Sequence, residues 1–391
     1  MKIAYLYIVD LNLNSASVNQ TLNMVNAFAD HAEIHFLSSW IAQKDIDNRL
    51  TFFALPKKFI LKRMPIVWLK TAKIKLLERI SRLLYVLFCL IYIRLNNYDL
   101  IYTRDFSFVY FLSLLPQFLR PKSPVVYEPH KIYYESLPNV SEQQEAKALA
   151  TAQLFVPTTV GCKEDLQTIF GISPNKMYQH ANGVNIKTFE NTASHSDFLQ
   201  EKYTIRKAKK IIVYTGTFLH WKGVDILVKA AKYIQHPDYV ILLIGGFGAD
   251  RKRIEKLIKT EKVGDKIIVD GFLSQKELIG ILKQADLAVI PNRLDAEGNK
   301  YTSPLKTYEY LAVGLPIVCS DLYSMRQILV AKENALFFEP ENEQDLASKI
   351  DYILSDPNVQ NQLSINNKKV APLHSWQRRA SEIMSFVVSE L

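Results

Sequence analysis

Short runs of β-branched and aromatic residues alternate along this chain with longer amphipathic stretches. This alternation is typical of parallel β-sheets covered by helices. In the first half, strands are predicted near Ile3–Val9, Glu33–Leu37, Leu100–Tyr102, Val125–Tyr127 and Leu154–Val156. In the second half, they are predicted near Ile211–Tyr214, Val240–Ile244, Lys266–Val269, Leu287–Ile290 and Pro316–Cys319. Because 391 residues exceed what one hydrophobic core accommodates, the sequence predicts two α/β domains.

The segment SPLKTYEYLAVG predicts a helix whose start could bind a phosphate. Ser303 is a suitable N-cap and Pro304 suits the first helical position, so free backbone N–H groups would meet the anion at the positive end of the helix dipole. Lys306 adds a full charge there, and Glu309 is an acceptor that can bind ribose hydroxyls. An ordinary capped helix that ends at Gly314 explains this segment equally well.

A second segment places a lysine in a loop between a strand and a helix. The strand Ile211–Tyr214 is followed by Gly216, Thr217, Lys222 and Gly223 and then by an amphipathic stretch. Such loops lie at the carboxyl edge of a parallel sheet, where open α/β proteins bind ligands. A lone lysine in a loop is more often simply solvated. Beside two glycines that let the backbone approach closely, Lys222 is predicted to bind a phosphate.

Together these segments make the chain resemble glycosyltransferase family 4, the group 1 retaining nucleotide-sugar transferases of GT-B architecture. The motifs that carry the resemblance are MKIAYLYI at Met1–Ile8, VYEPH at Val126–His130, HANGVN at His180–Asn185, GTF and WKGV within Gly216–Val224, DGF at Asp270–Phe272 with ADLAVIP after it, and Ser303–Val318. Each motif is weak alone, but six in the family's order are specific.

The resemblance implies an α/β fold of the GT-B type, with two Rossmann-like parallel-sheet domains facing a central cleft. Residues 1–187 would form the acceptor-binding domain and residues 188–373 the nucleotide-sugar donor domain. Residues 374–391 would form a C-terminal helix that crosses back to the first domain.

The resemblance also implies roles for individual residues. The donor-binding positions would be Gly216, Thr217, Phe272, Ser303, Pro304, Leu305, Lys306 and Glu309. The Phe272 backbone would lie near the base, and Lys222 would neutralise charge on the leaving phosphate as a catalytic residue. His130, which ends a strand, would face the donor sugar across the cleft as the second catalytic residue. A lone histidine is more often structural, but the match to the family's Glu-x-His strand end favours a functional role.

Two positions depart from the family's pattern. Thr217 stands where relatives usually have arginine, and Tyr301 stands where they usually have glutamate. Lys306 or Arg293 could supply the missing cation. These departures motivate one alternative function, a non-catalytic relative that binds nucleotide or scaffolds an assembly. A GT-B epimerase or phosphorylase is a further alternative.

The expected substrates are a UDP- or GDP-linked sugar and a saccharide or lipid-linked acceptor. No metal or other cofactor is expected, because the only Asp-x-Asp, at Asp45 and Asp47, does not end an apolar strand. Three scattered cysteines argue against a disulfide framework and fit a reducing compartment. The chain start is too short between its charges for a signal peptide, so a cytoplasmic location is expected.

Positive charge is concentrated in one segment. The chain carries 48 basic and 39 acidic residues, and Lys57–Tyr98 holds ten lysines and arginines against Glu78 alone. A basic amphipathic helix here could hold the protein on an anionic membrane surface at the inner face. A core-packing helix with a solvated basic side explains the pattern equally well. Nucleic acid is not an expected partner, because no recognised motif accompanies the charge.

Overall fold

The structure is a computed structural model of the 391-residue chain. It describes all residues except 9, 12, 14, 42, 67–74, 138, 194–197, 207–208 and 296–298, and it leaves the side chains of residues 43, 75 and 76 undescribed. The chain forms two compact units, the first made of Met1–Asn182 and Trp376–Leu391 and the second of Gly183–Ser375. The sequence predicted the two domain boundaries at residues 187 and 373, a few residues from the boundaries of these units.

The first unit alternates strands and helices, as predicted. Its elements before the C-terminal helix are β1 Lys2–Leu6, α1 Ala16–Phe28, β2 Glu33–Ser38, α2 Gln43–Phe52, β3 Ile60–Arg63, α3 Lys75–Asn96, β4 Leu100–Thr103, α4 Phe106–Leu114, β5 Val125–Tyr127, α5 Glu142–Leu149, β6 Leu154–Phe155 and α6 Val160–Thr168. The strands pair in parallel in the order β3-β2-β1-β4-β5-β6. The central strands are buried nearly throughout, as expected where helices cover both faces.

The second unit repeats this plan. Its elements are α7 Ile186–Asn191, α8 Phe198–Tyr203, β7 Lys210–Thr215, α9 Val224–Ala230, β8 Tyr239–Ile244, α10 Gly248–Glu261, β9 Ile267–Asp270, α11 Gln275–Leu282, β10 Leu287–Ile290, α12 Leu305–Val313, β11 Ile317–Ser320, α13 Tyr323–Arg326, β12 Ala335–Phe338, α14 Glu343–Ser355 and α15 Pro357–Val370. The sheet order is β12-β11-β10-β7-β8-β9, all parallel. Counted from the first strand of each unit, both sheets have the order 3-2-1-4-5-6.

This strand order decides where each unit can bind a ligand. The chain direction across the sheet reverses between β1 and β4 in the first unit and between β7 and β10 in the second. Ligands of open α/β proteins bind outside the carboxyl ends of the strands at such a switch point. Segments that directly follow these strands therefore become the candidate site residues.

The last helix of the chain belongs to the first unit. α16, Trp376–Glu390, packs against α1 and buries Arg379, Ile383 and Val387 among its inward-facing residues. A short 3₁₀ turn, Ala371–His374, precedes it in the second unit. The two termini of the chain thus contribute to one core.

All ten predicted strands are present, but two further strands were missed. β3 and β12 each lie at an edge of their sheet. β3 reads ILKR and has no fully buried residue, so it lacks the apolar run that identifies a central strand. β1 is shorter than predicted, because it ends at Leu6. Residue 9, the predicted end of that strand, lies outside the described residues.

Candidate functional site

The loop after β7 is held at the switch point of the second unit. Gly216 donates its backbone N–H to the Ile244 carbonyl at 2.8 Å and has a φ of +122°, which favours glycine. The Tyr214 hydroxyl donates to the Thr217 carbonyl at 2.7 Å, and the Tyr310 hydroxyl accepts the Thr215 N–H at 2.9 Å. The loop conformation is therefore set by side chains from β7 and α12.

Lys306, in the first turn of α12, reaches this loop. Its Nζ lies 3.6 Å from the centre of the Tyr214 ring, and a Cβ added to Gly216 would lie 3.7 Å from Nζ. Only 7% of Lys306 is exposed, and its Nζ has no hydrogen-bond partner among the described residues. Burial, reinforced by the nearby charge of Lys222, lowers the pKa of Lys306 well below its usual value. An ammonium buried in this way is unfavourable until an anion pairs with it.

Glu309 lies one turn further along α12 and is also buried. Gln275 Nε2 donates a hydrogen bond to it at 3.4 Å. Burial raises the pKa of Glu309 to about 7, against the opposing effects of Gln275 and the Lys306 charge. A carboxyl group whose pKa lies near 7, in a site at the carboxyl edge of a parallel sheet, is a candidate ligand-binding group.

Lys222 lies further along the same loop between β7 and α9. It ends the 3₁₀ turn His220–Lys222, and Gly223 follows with a φ of +63°. A Cβ on Gly223 would lie 1.8 Å from the Pro291 carbonyl oxygen, so only glycine lets this turn lie against the end of β10. Lys222 Nζ lies over the Trp221 ring. The charge of Lys222 contributes to the lowered pKa of Lys306.

The predicted N-cap at Ser303 is wrong by one residue. α12 begins at Leu305, and Pro304 is its N-cap, with an extended ψ of 128°. Ser303 instead exchanges a hydrogen bond with the Tyr308 hydroxyl at 2.8 Å. Pro304 makes no side-chain capping hydrogen bond, so among the described residues its side chain does not occupy the N–H groups of the first turn. The structure thus brings Gly216, Lys222, Lys306 and this helix start together.

Arg293, the other candidate for the missing cation, is already paired in this structure. Its guanidinium pairs with Asp225 and with Glu341, and its Nε donates to the His220 carbonyl. These contacts help to fix the loop that carries Lys222. Lys306 Nζ, by contrast, has no hydrogen-bond partner among the described residues.

Phe272 lies just beyond β9 and remains 37% exposed. Its ring lies 5.6 Å from that of Phe247, which follows β8 and is 60% exposed. Sequence reasoning missed Phe247, although its position two glycines after a buried strand marked a loop at the carboxyl edge of the sheet. It also missed Asn292, which follows β10 and is buried with both side-chain polar atoms unpaired in the described chain.

His130 lies in the first unit, just beyond β5. Arg104 donates from Nε to His130 Nε2 at 3.0 Å. Because arginine has no acceptor, Nε2 must be unprotonated and the ring proton lies on Nδ1. Burial, with the Arg104 charge beside it, lowers the pKa of His130 to about 4. His130 is thus a neutral hydrogen-bond donor at pH 7.

Glu128 organises the charges around His130. It is fully buried, 3.3 Å from Arg104 Nε and 3.0 Å from Arg379 Nη2, and it accepts from the Tyr102 hydroxyl. Burial opposes ionisation, but Arg379 and Arg104 hold the pKa of Glu128 well below its usual range. Sequence reasoning missed Arg104 and Arg379. Arg104 had a signal, because it directly follows a buried strand.

The part of the chain that the structure describes contains no group of three or more His, Cys, Asp or Glu side chains arranged to hold a metal ion. Among the same residues, no helix is both long and apolar enough to cross a bilayer. Independence from metal stays a prediction.

Comparison with known proteins finds a family model that matches most of the second unit. Residues 195–370 match the family model described as glycosyl transferases group 1. An uncharacterized glycosyltransferase of Methanocaldococcus jannaschii is 27% identical over 226 residues, 57% of this chain and 56% of that protein. D-inositol 3-phosphate glycosyltransferase 1 of Catenulispora acidiphila is 23% identical over 232 residues, 57% of this chain and 54% of that protein. The chain spans a little over half the length of these curated relatives.

Solved structures with the same fold cover nearly the whole chain. A glycosyltransferase from Rickettsia africae superposes with a TM-score of 0.76 at 18% identity, over 98% of this chain and 97% of that one. Anabaena HepE in complex with UDP and glucose has a TM-score of 0.74 at 16% identity, with 100% of both chains covered. At these identities the likeness shows the fold alone. The predicted GT-B fold and the resemblance to group 1 glycosyltransferases are confirmed.

Proposed function

The chain carries the group 1 glycosyl transferase family region at residues 195–370, and from this premise we propose that the protein is a retaining glycosyltransferase. It moves a sugar from a nucleotide-diphosphate donor to a saccharide or lipid-linked acceptor. The donor is a UDP- or GDP-linked sugar, and the product belongs to a cell-surface polysaccharide or glycolipid. The enzyme works in the cytoplasm or at the inner face of the membrane.

The environment of Lys306 is the main support for this proposal. A buried ammonium with no hydrogen-bond partner, beside a glycine loop and an uncapped helix start, fits a diphosphate better than any neutral ligand. Lys222 adds a second positive charge from the glycine loop itself. Glu309 provides the acceptor for the ribose hydroxyls, and the loop with Phe272 receives the base.

The reaction breaks the bond between the anomeric carbon and the β-phosphate oxygen. Negative charge grows on that oxygen, and Lys222, Lys306 and the start of α12 stabilise it. The acceptor hydroxyl forms the new bond on the same face of the sugar, and its proton passes to the leaving phosphate. His130, neutral and protonated on Nδ1, donates a hydrogen bond to the transferred sugar, so it is assigned as a donor and not as a base.

A donor screen tests the proposal. Thermal shift and calorimetry with UDP, GDP and their common sugars should identify one base, with the melting temperature rising as the ligand concentration exceeds Kd. Lys306→Ala should remove the response. The matched control is Lys252→Ala, an exposed lysine on α10, and it should keep the response. If no nucleotide sugar binds, or if Lys306→Ala binds normally, the donor assignment is wrong.

Turnover separates the proposed enzyme from the alternatives. Thr217 and Tyr301, which depart from the family's pattern, favour the non-catalytic scaffold among them. The transferase should hydrolyse its donor slowly without acceptor and yield a product of unchanged anomeric configuration by NMR. Donor binding with no hydrolysis or transfer would support the scaffold. Free epimerised sugar or a phosphate-dependent product would support an epimerase or phosphorylase.

A further inference from the structure

α3 is anchored in the core of the first unit by one of its faces. Tyr85, Val86, Cys89 and Ile93 are buried on this face, and the Tyr85 hydroxyl donates to the Leu37 carbonyl. These contacts fix how the helix is rotated about its axis. The residues on the opposite face are therefore held outward.

The outward face of α3 is apolar where a surface helix is normally polar. Its outer stripe, as we name it, consists of Leu77, Ile80, Leu83, Leu87, Ile91 and Leu95. These side chains are 42% to 76% exposed and recur at the three- and four-residue spacing of one helix face. At 1.5 Å per residue the stripe is about 27 Å long. Single exposed leucines are ordinary, but a continuous row of six marks an interaction surface.

A neighbouring turn extends this surface. Arg94 Nη1 lies 3.3 Å from the Phe118 carbonyl oxygen and 3.4 Å from that of Leu119, to which it donates. The 3₁₀ turn Gln117–Leu119 is thereby held beside the C-terminal end of α3. Phe118 is 76% exposed and Leu119 is 44% exposed. The outer stripe thus continues into an exposed aromatic ring.

The sequence around the outer stripe is strongly basic. Lys57–Tyr98 contains ten basic residues and Glu78 alone as an acid. Arg79 and Arg94 are exposed on α3. Arg82 is half-buried, donates to Ser107 at 2.8 Å and lies 3.7 Å from Glu78. The side chain of Lys75 lies outside the described residues.

We propose that the outer stripe of α3, with Phe118, docks the first unit onto an anionic lipid bilayer. The helix lies parallel to the surface, its apolar side chains enter the boundary between head groups and acyl chains, and the flanking arginines pair with lipid phosphates. A second copy of the same face is disfavoured, because the exposed Arg79 and Arg94 of one copy would meet the same two arginines of the other. This surface goes beyond the proposed transferase activity and does not depend on it.

Vesicle co-sedimentation tests the apolar part of the surface. The full chain should bind vesicles of phosphatidylcholine with 30 mol% phosphatidylglycerol at low salt, and bind much less to phosphatidylcholine alone. A Leu83→Ser, Leu87→Ser, Ile91→Ser variant should lose binding by about tenfold or more, because three apolar side chains no longer enter the bilayer. These positions are exposed, so the melting temperature should stay near that of the parent.

A matched apolar variant separates this surface from general hydrophobicity. Ile365→Ser, Leu373→Ser and Val388→Ser remove three side chains of similar exposure elsewhere, and vesicle binding should be unchanged. If both triple variants lose binding equally, or if the parent does not bind anionic vesicles at low salt, the proposal is wrong. A parent dimer that the α3 variant converts to a monomer, with no vesicle binding, would assign the outer stripe to a contact between copies.

Charge reversal tests the electrostatic part. Arg79→Glu with Arg94→Glu should weaken binding, by about fivefold for each positive charge lost near the surface. Lys252→Glu with Lys369→Glu makes the same change in net charge at exposed positions of the second unit and should have little effect. Equal losses in the two pairs would show that only net charge matters and would overturn the assignment. Donor hydrolysis should be unchanged in all four variants, so failure here leaves the proposed function standing.

Discussion

The guanidinium of Arg379 lies 3.0 Å from the carboxylate of Glu128, and neither side chain is exposed. The pair joins the C-terminal helix α16 to the residue that follows β5. Arg379 Nε also donates to the Ala181 carbonyl at 3.0 Å. Because Glu128 contacts Arg104, which in turn donates to His130, the last helix of the chain helps to set the charge around a proposed catalytic residue.

Removing Arg379 should destabilise the first unit strongly. Arg379→Ala leaves Glu128 with one fewer buried positive partner, and breaking a buried pair costs about 3 kcal/mol or more. Urea unfolding followed by circular dichroism measures the change. Arg378→Ala is the matched control, because Arg378 lies one residue away, is 47% exposed and pairs with Glu382 at the surface. Its cost should stay below about 1 kcal/mol. Equal costs for the two variants would contradict a special role for the buried pair.

Lys222 should act mainly in the transition state. If it neutralises charge that appears as the donor bond breaks, Lys222→Ala should lower kcat by roughly 100-fold and change KM less. Lys229→Ala serves as control, because Lys229 is on α9 and pairs with Glu343. Steady-state kinetics with the identified donor measure both constants. A normal kcat with a raised KM would show that Lys222 serves ground-state binding.

Glu309 should make donor affinity depend on pH. Its pKa of about 7 in the free protein should fall on binding, because the ionised carboxylate is the better acceptor for ribose hydroxyls. Donor binding therefore releases a proton, and affinity rises from pH 6 to pH 8. Calorimetry with a nucleotide sugar in buffers of different ionisation enthalpy measures the release. Glu309→Gln should abolish the rise, and a rise that persists in this variant would remove Glu309 from the site.

Ionisation of Glu309 should lower the stability of the protein as pH rises, whereas it should raise donor affinity. Burial raises the pKa of Glu309 above its usual 4.5, so the folded protein holds the proton between about pH 4.5 and pH 7 while the unfolded chain has lost it. The free energy of unfolding falls as pH rises through that window. Relative to the parent, Glu309→Gln should gain stability from pH 5 to pH 8 in urea titrations. An unchanged difference across that range would contradict the burial of an ionisable group there.

Turnover should survive EDTA. The proposed charge neutralisation uses Lys222, Lys306 and the start of α12, and no metal is assigned to it. Activity should be the same in EDTA and in added magnesium or manganese. Loss of activity in the chelator, restored by a divalent ion, would show that the donor phosphates require a metal.

Local sequence patterns were sufficient for the central framework of both units. The buried strands of each sheet are continuous apolar runs, and Gly314 ends α12 with a φ of +71° as its position predicted. Such features depend on residues within a few positions of one another. Edge strand β3 escaped because it has no fully buried residue and therefore no apolar run. β12 reads ALFF and is largely buried, so its apolar run was a signal that the sequence reading missed.

The chemistry of the candidate site depended on contacts between distant segments. The sequence placed Lys306 at a helix start, but its burial over Tyr214 follows from the parallel pairing that brings β7 beside β10. The Arg379–Glu128 pair likewise requires α16 to pack in the first unit. No local pattern encodes the partner of a buried charge, because that partner is chosen by the topology of the sheet.

α3 shows the same division within one helix. Its sequence has apolar residues on two faces and a basic surplus around them, which allows either face to pack inward. Packing of Tyr85 and Cys89 against the first unit selects one face and leaves Leu83 and Leu87 outside. Periodicity is a property of the helix alone, whereas burial is a property of the surface that the helix meets.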